Sequence, residues 1–238
     1  MFDPDAIEAI TFDIFGTTVD WYTGVSSQAE TIFRAAGVDL EAGGFVSEWR
    51  AQYLPALERV RDGERKWAYL DTLHRESLDE LLERHGVAAA LDDDARNRLV
   101  RTWHRLPAWP DATPGLKRLR TRYTVAALSN GGFALMTRLI KSENLPFDCV
   151  LSAELARTYK PGSQAYLTAA ELLDLPPDRI LMVAAHRWDL AGARSAGFHT
   201  AYVERPYEKG PDSATDRTDP AADLNVNSFP ALAAALGC

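Results

Sequence analysis

Cysteine is scarce: only Cys149 and Cys238 occur among the 238 residues, too few for the bridges that staple small secreted domains. Long apolar runs are missing as well, none approaching the roughly 18 residues of a membrane-spanning helix. Basic residues are in deficit, 26 Lys plus Arg against 34 Asp plus Glu for a net charge of −8, which weakens attraction to nucleic acid or an anionic membrane. The opening Met1-Phe2-Asp3-Pro4-Asp5 lacks the basic and then apolar profile of a secretion signal. The expectation is a protein of the reducing cytoplasm whose partner is a small molecule, with no nucleic acid and no membrane. What is present is an ordinary globular composition, 46% hydrophobic and 25% charged, which excludes disordered and fibrous classes. At roughly 150 residues per domain it is one large domain, or a main domain carrying a smaller one.

Short β-rich runs recur at Ala9–Phe15, Tyr123–Leu128, Cys149–Leu151, Ile180–Ala184 and Thr200–Val203. Between the later ones lie helical stretches, Phe133–Lys141, Ser163–Leu173 and Trp188–Ala196. Strand alternating with helix predicts an α/β fold, a parallel sheet with helices on both faces. Residues 21–106 differ: Phe45–Val60, Glu64–His85 and Asp93–Leu106 carry helical periodicity, with Gly37 and Gly86 as stops and almost no strand signal. A helical domain, 21–106, is thus expected to interrupt a core of 1–20 and 107–238 just after its first strand. Glu204–Asp223, with Pro206, Gly210, Pro211 and Pro220, reads as a long surface loop.

In open parallel sheets ligands bind beyond the carboxyl ends of the strands. Three strand ends carry polar residues there: Asp13-Ile14-Phe15-Gly16-Thr17, Ser129-Asn130-Gly131-Gly132 and Ala184-Ala185-His186-Arg187-Trp188-Asp189. Thr158-Tyr159-Lys160-Pro161 precedes a helix. Singly, each has an ordinary explanation: a turn aspartate, a Ser/Asn helix cap, a surface lysine, a first-turn carboxylate, a capping or core-packed histidine. Their order is more specific than any one of them.

That order, Asp, then Ser, then Lys before a helix, then Asp, resembles the haloacid dehalogenase superfamily over nearly the whole chain, with the helical insertion where that superfamily places a cap. Phosphatases of the superfamily read Asp-x-Asp at the first strand and Gly-Asp before the last carboxylate; here Phe15 and Ala184-Ala185 stand in those places. A phosphoryl group brought against carboxylates needs a metal, and these motifs offer few oxygens for one, so no metal and no cofactor are expected. The details are similar to the type II L-2-haloacid dehalogenases: Asp13 to Thr17 with Phe15 for Tyr, Trp49-Arg50 on a cap helix, Ser129-Asn130, Tyr159-Lys160-Pro161 with Tyr166, and Trp188-Asp189. Ala184-Ala185-His186 replaces the Ser-Ser-Asn of that family. Together with Arg205-Pro206-Tyr207-Glu208-Lys209-Gly210, it resembles a subgroup with fluoroacetate-cleaving members.

The resemblance implies that Asp13 is alkylated by a short 2-haloacid, expelling halide, and that water then hydrolyses the aspartyl ester. Thr17 and Lys160 would orient Asp13, and Asp189 or His186 would activate the water. Arg50, Ser129 and Asn130 would hold halide and carboxylate, with Phe15, Trp188 and Tyr166 also against the substrate. Trp67, Tyr69 and Leu70 are candidates for the apolar wall, whereas His74, His85, His104 and His199 show no ligand spacing. The alternatives are a phosphatase on a small phosphate ester, another small-acid hydrolase using the same ester chemistry, and a non-catalytic binding protein on the same fold. An aromatic-rich cap could also offer a homodimer surface.

Overall fold

The computed structural model describes residues 2–211 and 214–238. Six strands, β1 (Ala9–Phe12), β2 (Thr124–Ser129), β3 (Cys149–Ser152), β4 (Ile180–Ala184), β5 (His199–Val203) and β6 (Leu224–Val226), form one sheet in the order β3-β2-β1-β4-β5-β6. Every neighbouring pair is parallel. Helices cover both faces, which is why the central strands read as largely apolar runs. Ile10, Phe12, Val125, Ala127, Leu181 and Val183 belong to one core with Phe229 and Leu232, while Ala9, Ala126, Leu128 and Met182 belong to a second with Tyr166 and Leu190.

The sheet reverses direction at β1, whose neighbours are β2 on one side and β4 on the other. That reversal opens a crevice beyond the carboxyl ends of β1 and β4, where side chains can converge on a ligand. Phe12 pairs in register with both Ala127 and Val183, and the Asp13 amide donates to the Val183 carbonyl at 2.9 Å. Asp13 therefore sits directly on the rim.

Five helices fill the insertion: α1 (Trp21–Ala35), α2 (Ala42–Ala51), α3 (Tyr53–Arg61), α4 (Leu70–Arg84) and α5 (Asp93–Thr102). Asp20 caps α1 by accepting from the Thr23 amide, and Asp92 caps α5 by accepting from that of Ala95, each satisfying an otherwise orphan donor. The remaining helices are α6 (Ala112–Leu119), α7 (Phe133–Ser142), α8 (Ala153–Ala156), α9 (Ser163–Leu173), α10 (Arg187–Ser195) and α11 (Phe229–Ala235). Among the described residues no helix is long and apolar enough to cross a membrane.

Several boundaries differ from the sequence expectation. Phe45–Val60 is two helices broken at Gln52, because Pro55 has no N–H to give the Ala51 carbonyl and the turn there cannot stay α-helical. The Glu64–His85 stretch becomes helical only at Leu70, and Asp93–Leu106 stops at Thr102. Strand β1 ends at Phe12, before Asp13 turns away. Helices α6, α8 and α11 and strand β6 were not anticipated, being short. The 204–223 loop is not confined to the surface: Arg205, Glu208 and Asp219 are buried. Arg205 donates to the Thr17 carbonyl at 2.9 Å and to Asp111 at 2.8 Å, anchoring the loop against the β1 turn.

Candidate active site

Lys160 organises the rim. Its ammonium, 1% exposed, lies 3.1 Å from Asp13 Oδ1 and 2.5 Å from Asp189 Oδ2, and donates to the Leu128 carbonyl at 2.9 Å. Burial alone would lower its pKa, but the two carboxylates raise it, so the cation persists. For Asp13, 5% exposed, burial pushes upward, yet Lys160, His186 and Thr17 together hold it well below the usual carboxylate range. Thr17 Oγ1 donates to Asp13 Oδ2 at 2.8 Å while accepting from the Ala185 amide at 2.9 Å, tying the β1 turn to the end of β4. Burial raises the pKa of Asp189; the Tyr166 hydroxyl donates to its Oδ1 at 2.6 Å.

His186 faces the nucleophile from the other side. Its Nδ1 is 3.2 Å from Asp13 Oδ2 and its Nε2 is 3.2 Å from Glu208 Oε1. Trp188 stacks on the imidazole, centroids 5.5 Å apart. Glu208, 3% exposed, also accepts from Trp21 Nε1 at 2.6 Å. Gly16 makes this approach possible: it has φ +87, and a Cβ there would lie 2.5 Å from Glu208 Oε1. Burial would depress the His186 pKa, but Glu208 and Asp13 lift it to about 9. Burial would raise Glu208, but His186, Arg50 and Trp21 bring it down to about 2.

A cavity of about 600 Å³ opens above, lined by Trp21, Arg50, Tyr53, Ala185, His186, Trp188 and Glu208 among others. Arg50 lies 4.0 Å over the Tyr53 ring, and its Nη1 is buried without a hydrogen-bond partner in the described residues. Trp49, its neighbour on α2, instead points into the cap and donates to the His74 carbonyl at 3.1 Å. Asn130 Nδ2 donates to the Tyr53 hydroxyl at 3.1 Å and its Oδ1 accepts from the Lys160 amide at 2.8 Å. Three cations, Arg50, Lys160 and His186, thus face three carboxylates, Asp13, Asp189 and Glu208.

Asp13, Thr17, Lys160, Asp189 and His186 converge as a single bonded array, with Arg50 and Trp188 on the cavity wall. Other placements need correction. Tyr166, expected against the substrate, lies behind Asp189, its hydroxyl committed to that residue. Ser129 is fully buried and accepts from the Gly131 amide at 3.0 Å, the turn role open to any Ser at a strand end. Phe15 packs edge-on against Trp103, centroids 6.0 Å apart. Trp67, Tyr69 and Leu70 do not line the cavity: Trp67 stacks on Tyr159 at 4.8 Å. Trp21, Tyr53 and Glu208 were missed as site residues, although the Arg-Pro-Tyr-Glu-Lys-Gly run containing Glu208 stood out in the sequence. Nothing local to that run signals that its glutamate turns inward.

These pKa shifts make stability fall at both ends of the pH scale. The His186 contribution is complete below its ordinary value of 6.5 and lost as pH rises through about 9. That of Glu208 is complete above 4.5 and lost as pH falls through about 2, and Asp13 acts in the same acidic direction. Thermal melts against pH are expected to show an alkaline decline that His186→Asn flattens; an unchanged alkaline limb in that variant would contradict the ion pairing.

Known proteins share this architecture. Residues 7–197 match the haloacid dehalogenase-like hydrolase family. The chain is 32% identical to (S)-2-haloacid dehalogenase 1 of Pseudomonas sp. (strain CBS-3), covering 84% of this chain and 86% of that one. It is 30% identical to (S)-2-haloacid dehalogenase 4A of Burkholderia cepacia, covering 84% of each. The crystal structure of a defluorinating L-2-haloacid dehalogenase superposes with a TM-score of 0.94 at 35% identity, over 98% of this chain and 96% of its own. A second L-2-haloacid dehalogenase gives 0.91 at 41% identity, over 97% and 99%. With a match over most of its length and the same sheet and cap, the chain belongs to the haloacid dehalogenase-like hydrolase family.

Proposed function

We propose that the protein hydrolyses short 2-haloacids to 2-hydroxy acids and halide through an ester on Asp13. The observation that carries this reading is the buried Asp13 carboxylate held ionised by Lys160 and Thr17, with Phe15 where a phosphatase of the superfamily has its second acid. A halide departs without a proton, whereas the alkoxide of a phosphate ester needs one, and the Phe15 ring has none to give. Asp13 attacks the halogen-bearing carbon; the carbon–halogen bond breaks and its electron pair leaves with the halide. The unpartnered Arg50 Nη1 and Asn130 take charge on the halide or the substrate carboxylate, with Trp188, Trp21 and Tyr53 as the apolar wall. Water then attacks the ester carbonyl. His186, on the cavity wall and against Asp13, is placed to activate it; Asp189, enclosed by Lys160 and Tyr166, holds the lysine.

Metal independence is part of the proposal. The Lys160 ammonium already bridges Asp13 and Asp189, supplying the positive charge two adjacent carboxylates require. Fluoride is included among the leaving groups because of the resemblance noted above and the defluorinating structural relative. The test is a halide-release panel across fluoro-, chloro- and bromoacetate and both 2-chloropropionate enantiomers, run with a chelator. Release of halide with inversion of the L enantiomer is expected. Magnesium-dependent phosphate release with no halide would overturn the reading. A cytoplasmic location belongs to the same proposal, and the free Cys149 and Cys238 support it; association of two copies through the cap would show in the hydrodynamic mass.

A further inference from the structure

The Glu208–His186–Asp13 line carries an inference about the timing of the proton. A neutral imidazole has one donor nitrogen, yet both nitrogens of His186 face carboxylate oxygens at 3.2 Å. Both must donate, so the free enzyme holds an imidazolium, and an imidazolium cannot take a proton from water. Burial opposes this state, but the groups packed on the ring outweigh it: Asp13 from the β1 turn, Glu208 from the loop after β5, and the Trp188 ring of α10 stacked over the imidazole. Arg50 of α2 and Lys160 bear on the carboxylates rather than on the ring. Alkylation of Asp13 removes one of the two negative charges that hold the second proton.

We infer that Glu208 is the positioning residue that couples the proton state of His186 to the chemistry of Asp13: imidazolium while the nucleophile is free, neutral imidazole once the ester has formed. This rests on the aspartyl-ester reading above. In the ester, Nε2–H stays on Glu208 and the Nδ1 proton passes to solvent as the one proton the overall reaction releases. The bared Nδ1 then takes a proton from the water whose oxygen bonds to Asp13 Cγ. On collapse, the bond from Cγ to the substrate oxygen breaks, the departing hydroxy acid takes the second water proton, and His186 and Asp13 are again the ion pair.

With enzyme in excess over chloroacetate, a pH indicator in weak buffer at about pH 8 should report most of one proton with chloride, ahead of glycolate. A proton arriving only with glycolate overturns the inference. No chloride at all would instead count against the dehalogenase reading. In Glu208→Gln the amide can donate to Nε2, fixing the wrong tautomer with Nδ1–H toward Asp13. First-turnover chloride release should stay within about fivefold, while steady-state kcat falls on the order of 100-fold. The Asp13 ester then accumulates as a mass adduct. Unchanged turnover without adduct, or equal loss of both steps in a folded variant, contradicts the assignment; if the variant fails to fold, the wild-type proton timing decides.

Discussion

Asp13→Asn is expected to lose turnover by a factor on the order of 10⁴ or more, because the amide is neither anionic nor an effective nucleophile toward carbon. The loss is not one of binding, since Arg50 and the cavity wall are untouched. A single turnover in heavy-oxygen water separates the nucleophile from a mere positioning group. On the proposed path water attacks the Asp13 carbonyl of the ester, so one solvent oxygen should remain in the peptide containing Asp13 of the parent enzyme. Direct attack of water on the substrate leaves that peptide unlabelled and would end the proposal, whatever the variant does. The variant also leaves the Lys160 cation with Asp189 alone and takes one anion from His186, so its alkaline decline in stability should be weaker than that of the parent.

Lys160→Met should be the most damaging substitution for stability. The methionine keeps much of the length but leaves Asp13 and Asp189 buried together with no cation between them. Removing one partner of a buried ion pair costs about 3–5 kcal/mol. The Leu128 carbonyl also loses its donor. The two carboxylates relieve the repulsion by taking up a proton, which raises their folded-state pKa above the unfolded value. Folding then binds protons, and the variant becomes less stable as pH rises. Urea melts at about pH 5 and pH 8 should therefore show a larger deficit at the higher pH; a variant as stable as the parent at pH 8 would mean that Lys160 is not the counter-ion. Activity should fall with it, because an Asp13 that is partly protonated is a poor nucleophile.

The parallel sheet was legible because strands buried on both faces are mostly apolar, and Val125–Leu128 of β2 and Ile180–Ala184 of β4 show it. That Asp13 and Asp189 lie on one rim was legible because each follows a strand end of the sheet, whereas Lys160, between α8 and α9, reaches them only through the fold. Helix boundaries in the cap were less so: the Pro55 effect on the preceding turn is local, but its consequence for α2 and α3 depends on how the two segments pack. Tyr166 shows the limit of motif matching, since spacing alone does not say whether a hydroxyl meets substrate or braces a carboxylate.

Residue order alone determined which strand ends bear polar side chains, since that depends on near-neighbour periodicity and turn residues. It placed Phe15 where the resemblance expects the second acid of a phosphatase. Only the tertiary structure decided that Glu208, 195 positions beyond Asp13 along the chain, closes on His186, and that Trp21 and Tyr53 complete the cavity. The reason is physical: a loop turns a carboxylate inward only where a distant partner compensates its desolvation. Here that partner is the His186 ring at the end of β4, admitted past the bare backbone of Gly16.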